Sequence, residues 1–228
     1  MNNSIPSLNV GPLAIHVIVS RPFMENTYIV HLAEKSECLI VDPGFEPDAI
    51  VQFVTEKRLT PVAILITHGH SDHIAGNEAL KRCWPQCPLV IGEKEADKLA
   101  DADANLSSKY GLPIVSPPAD ILVRENELFS AGGMDWEVRE TPGHSSGHIV
   151  FVWKGASPWV VLAGDVLFQG SVGRTDFPGG SFPLLAKMIF TKLFTLPSDT
   201  IVLPGHGEPT TIGVEKETNP FVGDRAVR

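Results

Sequence analysis

Val62-Ala63-Ile64-Leu65-Ile66-Thr67-His68-Gly69-His70-Ser71-Asp72-His73 sets an apolar run of strand length directly against three imidazoles and a carboxylate. The run, introduced by Pro61, has the unbroken hydrophobicity of a strand covered on both faces. Its polar end therefore sits at the tip of a rigid element, where ligands can be held in place. In extended chain, side chains two apart point the same way, so His68 and His70 can converge on one ion. Asp72 and His73 follow after the chain turns and diverge from that pair, which makes a second ion beside the first geometrically reasonable.

Upstream, Leu13–Ser20, Thr27–Leu32 and Cys38–Val41 read as strands separated by turn-forming residues, and Asp48–Arg58 has the spacing of an amphipathic helix. Downstream, Ile74–Arg82 reads as a helix, Leu89–Ile91 as a strand and Glu93–Ala100 as a short helix. Asp101–Pro118 is polar and proline-bearing, with the character of a lid or substrate loop. Ile121–Val123, Met134–Glu140, His148–Trp153 and Trp159–Ala163 then repeat the strand-and-turn pattern, before a helix over Pro183–Phe194 and a strand over Thr200–Leu203. Two β-rich halves, each followed by helices, fit two sheets packed face to face with helices outside; a two-domain α+β arrangement fits the same order.

Three further segments bring a candidate ligand after an extended stretch and a glycine: Thr141-Pro142-Gly143-His144, Leu162-Ala163-Gly164-Asp165 and Leu203-Pro204-Gly205-His206. Glycine lets the backbone turn sharply and approach a site closely, delivering the next side chain into a cleft. A lone His after Gly is more often a turn residue, but three such segments repeating one design favour a shared centre. His148 opens an apolar strand and is expected to hold the His144 loop by hydrogen bonding, not to ligate. His16 and His31 read as ordinary strand residues.

The bulk properties narrow the function classes. With 228 residues, 43% hydrophobic and 20% charged, the chain suits a folded globular protein, and no apolar run is long enough to span a bilayer. Net charge is −9 and no Lys/Arg-rich block occurs, so neither nucleic acid nor an anionic membrane is an expected partner. Cys38, Cys83 and Cys87 cannot all pair within one chain; with no export signal at the N-terminus, a cytoplasmic location is expected. Trp84-Pro85-Gln86 between Cys83 and Cys87 does not make a zinc knuckle, so these thiols read as buried or indifferent.

The pattern His68-x-His70-x-Asp72-His73, then His144, Asp165 and His206 in that order, resembles the metallo-β-lactamase superfamily across nearly the whole chain. The resemblance implies an α/β (α+β) fold, the αββα sandwich, as a single domain over residues 1–228, with a dinuclear site at the sheet edges. Carried onto this sequence, it gives His68, His70 and His144 to one metal, Asp72, His73 and His206 to a second, and Asp165 to both. It also implies that Asp42, in Val41-Asp42-Pro43-Gly44, supports a ligating imidazole. Imidazole and carboxylate donors without a thiolate make Zn²⁺ the default, with Fe²⁺ or Mn²⁺ compatible. A hydroxide bridging two divalent ions would be the nucleophile, and Asp72 would orient it as the catalytic carboxylate.

Within the superfamily, Thr141–His148, Gly164-Asp165 and Gly173-Arg174-Thr175-Asp176-Phe177 resemble the glyoxalase II-like thioesterases. Only 207–228 follows His206, where full-length glyoxalase II enzymes carry a helical domain with glutathione contacts. The resemblance therefore narrows to the short, single-domain bacterial group acting on S-lactoylglutathione or another small-molecule acyl thioester. Persulfide dioxygenases share the Gly173–Phe177 motif and would use one Fe²⁺ at His68, His144 and Asp165. A non-enzymatic metal-binding scaffold is the third reading, and the lack of an export signal argues against β-lactam hydrolysis. Arg174 and Asp176 are expected to pair and stabilise their own loop, and Lys109 and Tyr110 to be solvated, so no residue is assigned to substrate binding.

Overall fold

In the computed structural model, which describes residues 6–226, the first half of the chain builds one sheet. Its strands lie side by side in sequence order: β1 (Ser7–Val10), β2 (Leu13–Ser20), β3 (Glu25–Leu32), β4 (Glu37–Val41), β5 (Thr60–Ile66), β6 (Leu89–Gly92) and β7 (Ile121–Val123). The first four run antiparallel, and β4 to β7 run parallel. Parallel neighbours need crossovers. One is α1 (Pro47–Glu56); the next is α2 (Ser71–Ile74) followed by α3 (Asn77–Cys83).

The second sheet begins with the antiparallel strands β8 (Leu128–Ala131), β9 (Met134–Glu140), β10 (Ile149–Trp153) and β11 (Val160–Gly164). The small hairpin of β12 (Leu167–Phe168) and β13 (Ser171–Val172) and then α4 (Phe182–Met188) intervene. The chain returns through β14 (Ile201–Pro204), which pairs parallel with β11; β15 (Thr210–Thr211) forms the edge, and α5 (Ile212–Thr218) follows.

Alternation along the strands makes the layers. In β5, Ala63 and Leu65 face the second sheet, while Ile64 and Ile66 face α1 and α3. In β10, Ile149, Phe151 and Trp153 fill the space between the sheets, and Val150 and Val152 pack with Leu185, Ile189 and Ile212 outside. Each strand is apolar throughout because both of its faces are buried, and each such Leu or Ile contributes about 1.5–3 kcal/mol by leaving water. The result is the expected αββα sandwich. No helix among the described residues is long and apolar enough to cross a membrane.

Several elements differ from their sequence reading. The single helix expected over Ile74–Arg82 is two, divided at Gly76, whose N–H donates to Pro43 O at 2.8 Å. A Cβ at Gly76 would lie 2.9 Å from Gly44 O, so the turn is packed against the end of β4. Glu93–Ala100 is 3₁₀ helix, and the helix near Pro183 starts at Phe182 and ends in a wide π turn over Ile189–Leu193. β1, β8, β12, β13, β15 and α5 were not foreseen; they are short edge or terminal elements with weak patterns. Asp101–Pro118 contains a 3₁₀ turn at Ser107–Tyr110 and is fastened by buried Asn105. The Asn105 amide donates to Lys98 O and Ile114 O, and its backbone oxygen accepts from Ser71 N.

The sheets are stitched together at one edge. Ile149 N donates to Thr67 O at 3.0 Å, and Asn26 N to Gly205 O at 2.7 Å. The segments that follow β5, β9, β11 and β14 all emerge there.

Candidate metal centre

Three overlapping groups of donors form at that edge. His68, His70 and His144 make one cluster, Asp72, His73 and His206 another, and His68, His73 and Asp165 a third that joins the two; within each, one donor atom per residue lies within 4.8 Å of the others. His68 Nε2 is 3.0 Å from His70 Nδ1 and 3.2 Å from His144 Nε2, while His144 Nε2 is 2.9 Å from His70 Nδ1. Asp165 lies between the clusters: its Oδ2 is 3.5 Å from both His144 Nε2 and His206 Nε2, and its Oδ1 is 3.5 Å from His73 Nε2. The structure thus brings together all seven residues singled out in the sequence.

The outer nitrogen of each of four imidazoles is held by a hydrogen bond, which fixes the ring and aims its other nitrogen inward. Asp42 accepts from Thr67 N and Thr67 Oγ1 at 2.7 Å each, so the Thr67 hydroxyl is free to accept from His68 Nδ1 at 3.0 Å. His73 Nδ1 donates to Asp42 Oδ2 at 3.1 Å, His144 Nδ1 to Arg174 O at 2.8 Å, and His206 Nδ1 to Phe23 O at 3.1 Å. Every one of those four Nε2 atoms therefore points inward, towards the other imidazoles and the carboxylates. Among the described residues, His73 Nε2 and Asp165 Oδ1 are buried without a hydrogen-bond partner. Such a convergence of imidazoles and carboxylates fits a bound cation.

Electrostatics agree. Burial, reinforced by neighbouring imidazoles, pushes His68 and His70 well below the ordinary histidine value; burial also lowers His144, despite Asp165 beside it. These rings are neutral and ready to ligate. In the other cluster burial opposes charge, yet Asp165 and Asp72 hold His73 well above the usual range and His206 above it. Burial works against the Asp72 and Asp165 carboxylates too, but His73 and His206 keep both below the ordinary carboxylate value. The carboxylate-rich half draws in positive charge wherever it can.

His148 is not among the converging donors. Its Nε2 accepts from Asp165 N at 3.1 Å and its Nδ1 pairs with Thr141 Oγ1 at 3.1 Å, so it orients the Asp165 turn as well as the His144 loop. Arg174 and Asp176 form a two-pronged pair at 2.9 and 2.7 Å. Tyr110 is solvent-exposed, as expected of a loop residue, and also lines the cleft over the centre, together with Phe23, Leu106, Phe168 and Phe177. The polar lid sequence concealed this, because its apolar side chains are few and widely spaced.

Two further groups were missed. Buried Glu95 accepts from Gly69 N at 2.8 Å, Gly147 N at 2.7 Å and Ser145 Oγ at 2.7 Å, tying the His68–His70 turn to the His144 loop. Lys98 donates to Glu95 at 2.9 Å and contacts Ser145 Oγ. Asn26 clamps the His206 turn, donating from its amide to Pro204 O at 3.0 Å and Gly207 O at 2.8 Å. Glu95 follows a buried strand end, as several ligands do; that position was its one signal in the sequence.

Comparison with known proteins agrees with this architecture. The sequence profile of the metallo-beta-lactamase superfamily matches residues 20–206. The chain is 41% identical over 202 residues to "Probable metallo-hydrolase YqgX" of Bacillus subtilis, covering 88% of this chain and 93% of that protein. It is 36% identical over 215 residues to "Hydroxyacylglutathione hydrolase GloC" of Haemophilus influenzae, covering 93% and 99%. Among solved structures, BLEG-1 B3 metallo-beta-lactamase superposes with a TM-score of 0.87 at 38% identity, covering 91% of this chain and 99% of that one. TTHA1623 in a di-iron-bound form superposes with a TM-score of 0.77 at 34% identity, covering 90% and 98%.

Proposed function

Because the chain belongs to the metallo-beta-lactamase superfamily, we propose that it is a dinuclear metal-dependent hydrolase of acyl thioesters, with S-lactoylglutathione or a related thioester as substrate. The observation that carries this reading is the convergence of five imidazoles, His68, His70, His73, His144 and His206, around the Asp72 and Asp165 carboxylates. His68, His70 and His144 would hold one divalent ion and Asp72, His73 and His206 the other, with Asp165 reaching both. Bound there, the ions supply positive charge that acidifies a water and polarises a carbonyl; Zn²⁺ suits the donors, and Fe²⁺ or Mn²⁺ is compatible.

The chain's own residues do the remainder. Asp72 lines the cleft with its side chain 17% exposed, so it can accept a hydrogen bond from an incoming water and aim it. Leu106, Tyr110 and Phe177 screen the reacting carbonyl from bulk solvent. Water oxygen joins the acyl carbon, the C–S bond breaks with its electron pair on sulfur, and a carboxylate and a thiolate result with the water's two protons, one of which returns to the sulfur in solvent and the other of which is released. A thiol with a pKa of roughly 8.5 departs as thiolate, so no dedicated general acid is needed. The relative named hydroxyacylglutathione hydrolase supports this class of substrate.

A mononuclear-iron persulfide dioxygenase would use only His68, His144 and Asp165. It leaves the converging Asp72, His73 and His206 without a purpose, which favours the hydrolase. The test is purified protein loaded with Zn, Fe or Mn and assayed for thiol release from S-lactoylglutathione, beside oxygen uptake with glutathione persulfide and turnover of a chromogenic cephalosporin. Thiol release at about two metals per chain is expected. Oxygen uptake at one iron per chain, or β-lactam turnover without thiol release, overturns the proposal.

A further inference from the structure

A second cavity of about 350 Å³ adjoins the metal cleft and shares Phe23, Ser71 and Tyr110 with it. The turn before β3 and the segment after β4 supply Pro22, Phe23 and Phe45, and the lid supplies Tyr110, Leu112 and Ile114. Among the described residues no charged side chain lines it. Of its two serines, Ser107 is already engaged, donating to Ala102 O and accepting from Ile114 N. Phe23 and Tyr110, which line both spaces, pack edge to face with ring centroids 5.0 Å apart. Leu112 is 63% and Tyr110 51% exposed, although an acidic water-facing surface has no need of them.

The opposite side of the cleft has the opposite chemistry. Phe177, beside His70 and His144, carries the Arg174 guanidinium, itself paired with Asp176, 4.4 Å from its ring centroid and the Lys109 ammonium at 5.8 Å, which leaves this side with one cation in excess. The groove instead adjoins the half containing His206, whose ring nitrogen is held by Phe23 O. A charged thiol carrier matches the cationic side, and entering the groove would strip its carboxylates of water without a partner. Resting on the thioesterase reading above, we infer that the groove is the acyl subsite and that it favours an apolar acyl chain or ring over the hydroxyl-bearing lactoyl group.

The test is a series of glutathione thioesters with acetyl, butanoyl, hexanoyl and octanoyl groups, assayed on the metal-loaded enzyme. Each added methylene buried in an apolar groove raises kcat/KM on the order of fourfold, levelling off when the groove is full. Leu112→Glu sets a charge in the groove, and the hexanoyl-to-acetyl ratio within that variant is expected to fall at least tenfold. Because a ratio is read, a general loss of activity does not disguise the result. A parallel series keeps the acetyl group and replaces glutathione by uncharged apolar thiols, which are expected to be poorer substrates. A flat acyl series, or preference for the apolar thiols, overturns the acyl subsite while leaving thioester hydrolysis standing. Failure to hydrolyse any member overturns both readings.

Discussion

At the residue scale, the centre depends on atoms that make room as much as on atoms that ligate. A Cβ on Gly205 would overlap Asp165 Oδ1 and come within 2.7 Å of His73 Cε1. Gly205→Ala should therefore displace the carboxylate shared by both clusters, lowering bound metal by at least half at a fixed metal concentration while circular dichroism stays native. Glycine before a ligand was legible in the sequence, but its packing partners were not, since they come from α2 and the turn after β11. Thiol chemistry separates equally by position. Burial pushes Cys38 up to about 12 and Cys87 up to about 11, whereas Cys83 is exposed. A thiol reagent should label one cysteine per folded chain and three after unfolding. His16, read as an ordinary strand residue, stacks on His31 with ring centroids 5.4 Å apart. Burial, then His31 and Lys57, lowers its pKa to about 4. A histidine depressed from its unfolded value stabilises the fold above pH 6.5 and loses that contribution as pH falls towards 4. Urea midpoints measured across that window should fall, and less steeply in His16→Phe.

At the element scale, turns bring the donors together and buried polar groups hold the turns. Glu95 bonds to both the His68–His70 turn and the His144 loop, and Lys98 neutralises it. Glu95→Gln leaves the Lys98 ammonium, 14% exposed, without its counterion; breaking a buried pair in this way costs about 3–5 kcal/mol. The melting midpoint should drop by about 6–15 °C, with weaker metal retention; an unchanged midpoint would show the tie to be dispensable. The long central strands were the legible elements, because β10 and most of β5 are apolar and could only be buried on both faces. The helices were read less well. Gly76 and Gly44 meet through contacts distant in sequence, and that close approach divides one apparent helix into α2 and α3. The lid stayed opaque for the same reason: Asn105 fastens it to Ser71, a bond no local pattern encodes.

At the scale of the whole molecule, the sandwich was legible from two runs of apolar strands and the ligand order, whereas the groove beside the centre was not, since three separated segments build it. Cross-linking of both sheets through one centre has a thermodynamic result. Metal that binds only the folded chain stabilises it by about 2.7 kcal/mol at a hundredfold excess over Kd. Removing the ions with a chelator should then lower the melting midpoint by about 5–10 °C, and adding them back should restore it. An identical midpoint with and without chelator would mean that the clusters do not share an ion-dependent role in holding the sheets.

The placement of β14 carries a consequence for how the protein is made. It lies inside the second sheet, between β11 and β15, yet it is among the last segments of the chain. Synthesis delivers the amino-terminal side first. The all-imidazole cluster has its full membership once His144 leaves the ribosome, while its carboxylate-rich neighbour must wait for His206. A nascent chain therefore passes through a stage with one finished nest of donors and one unfinished.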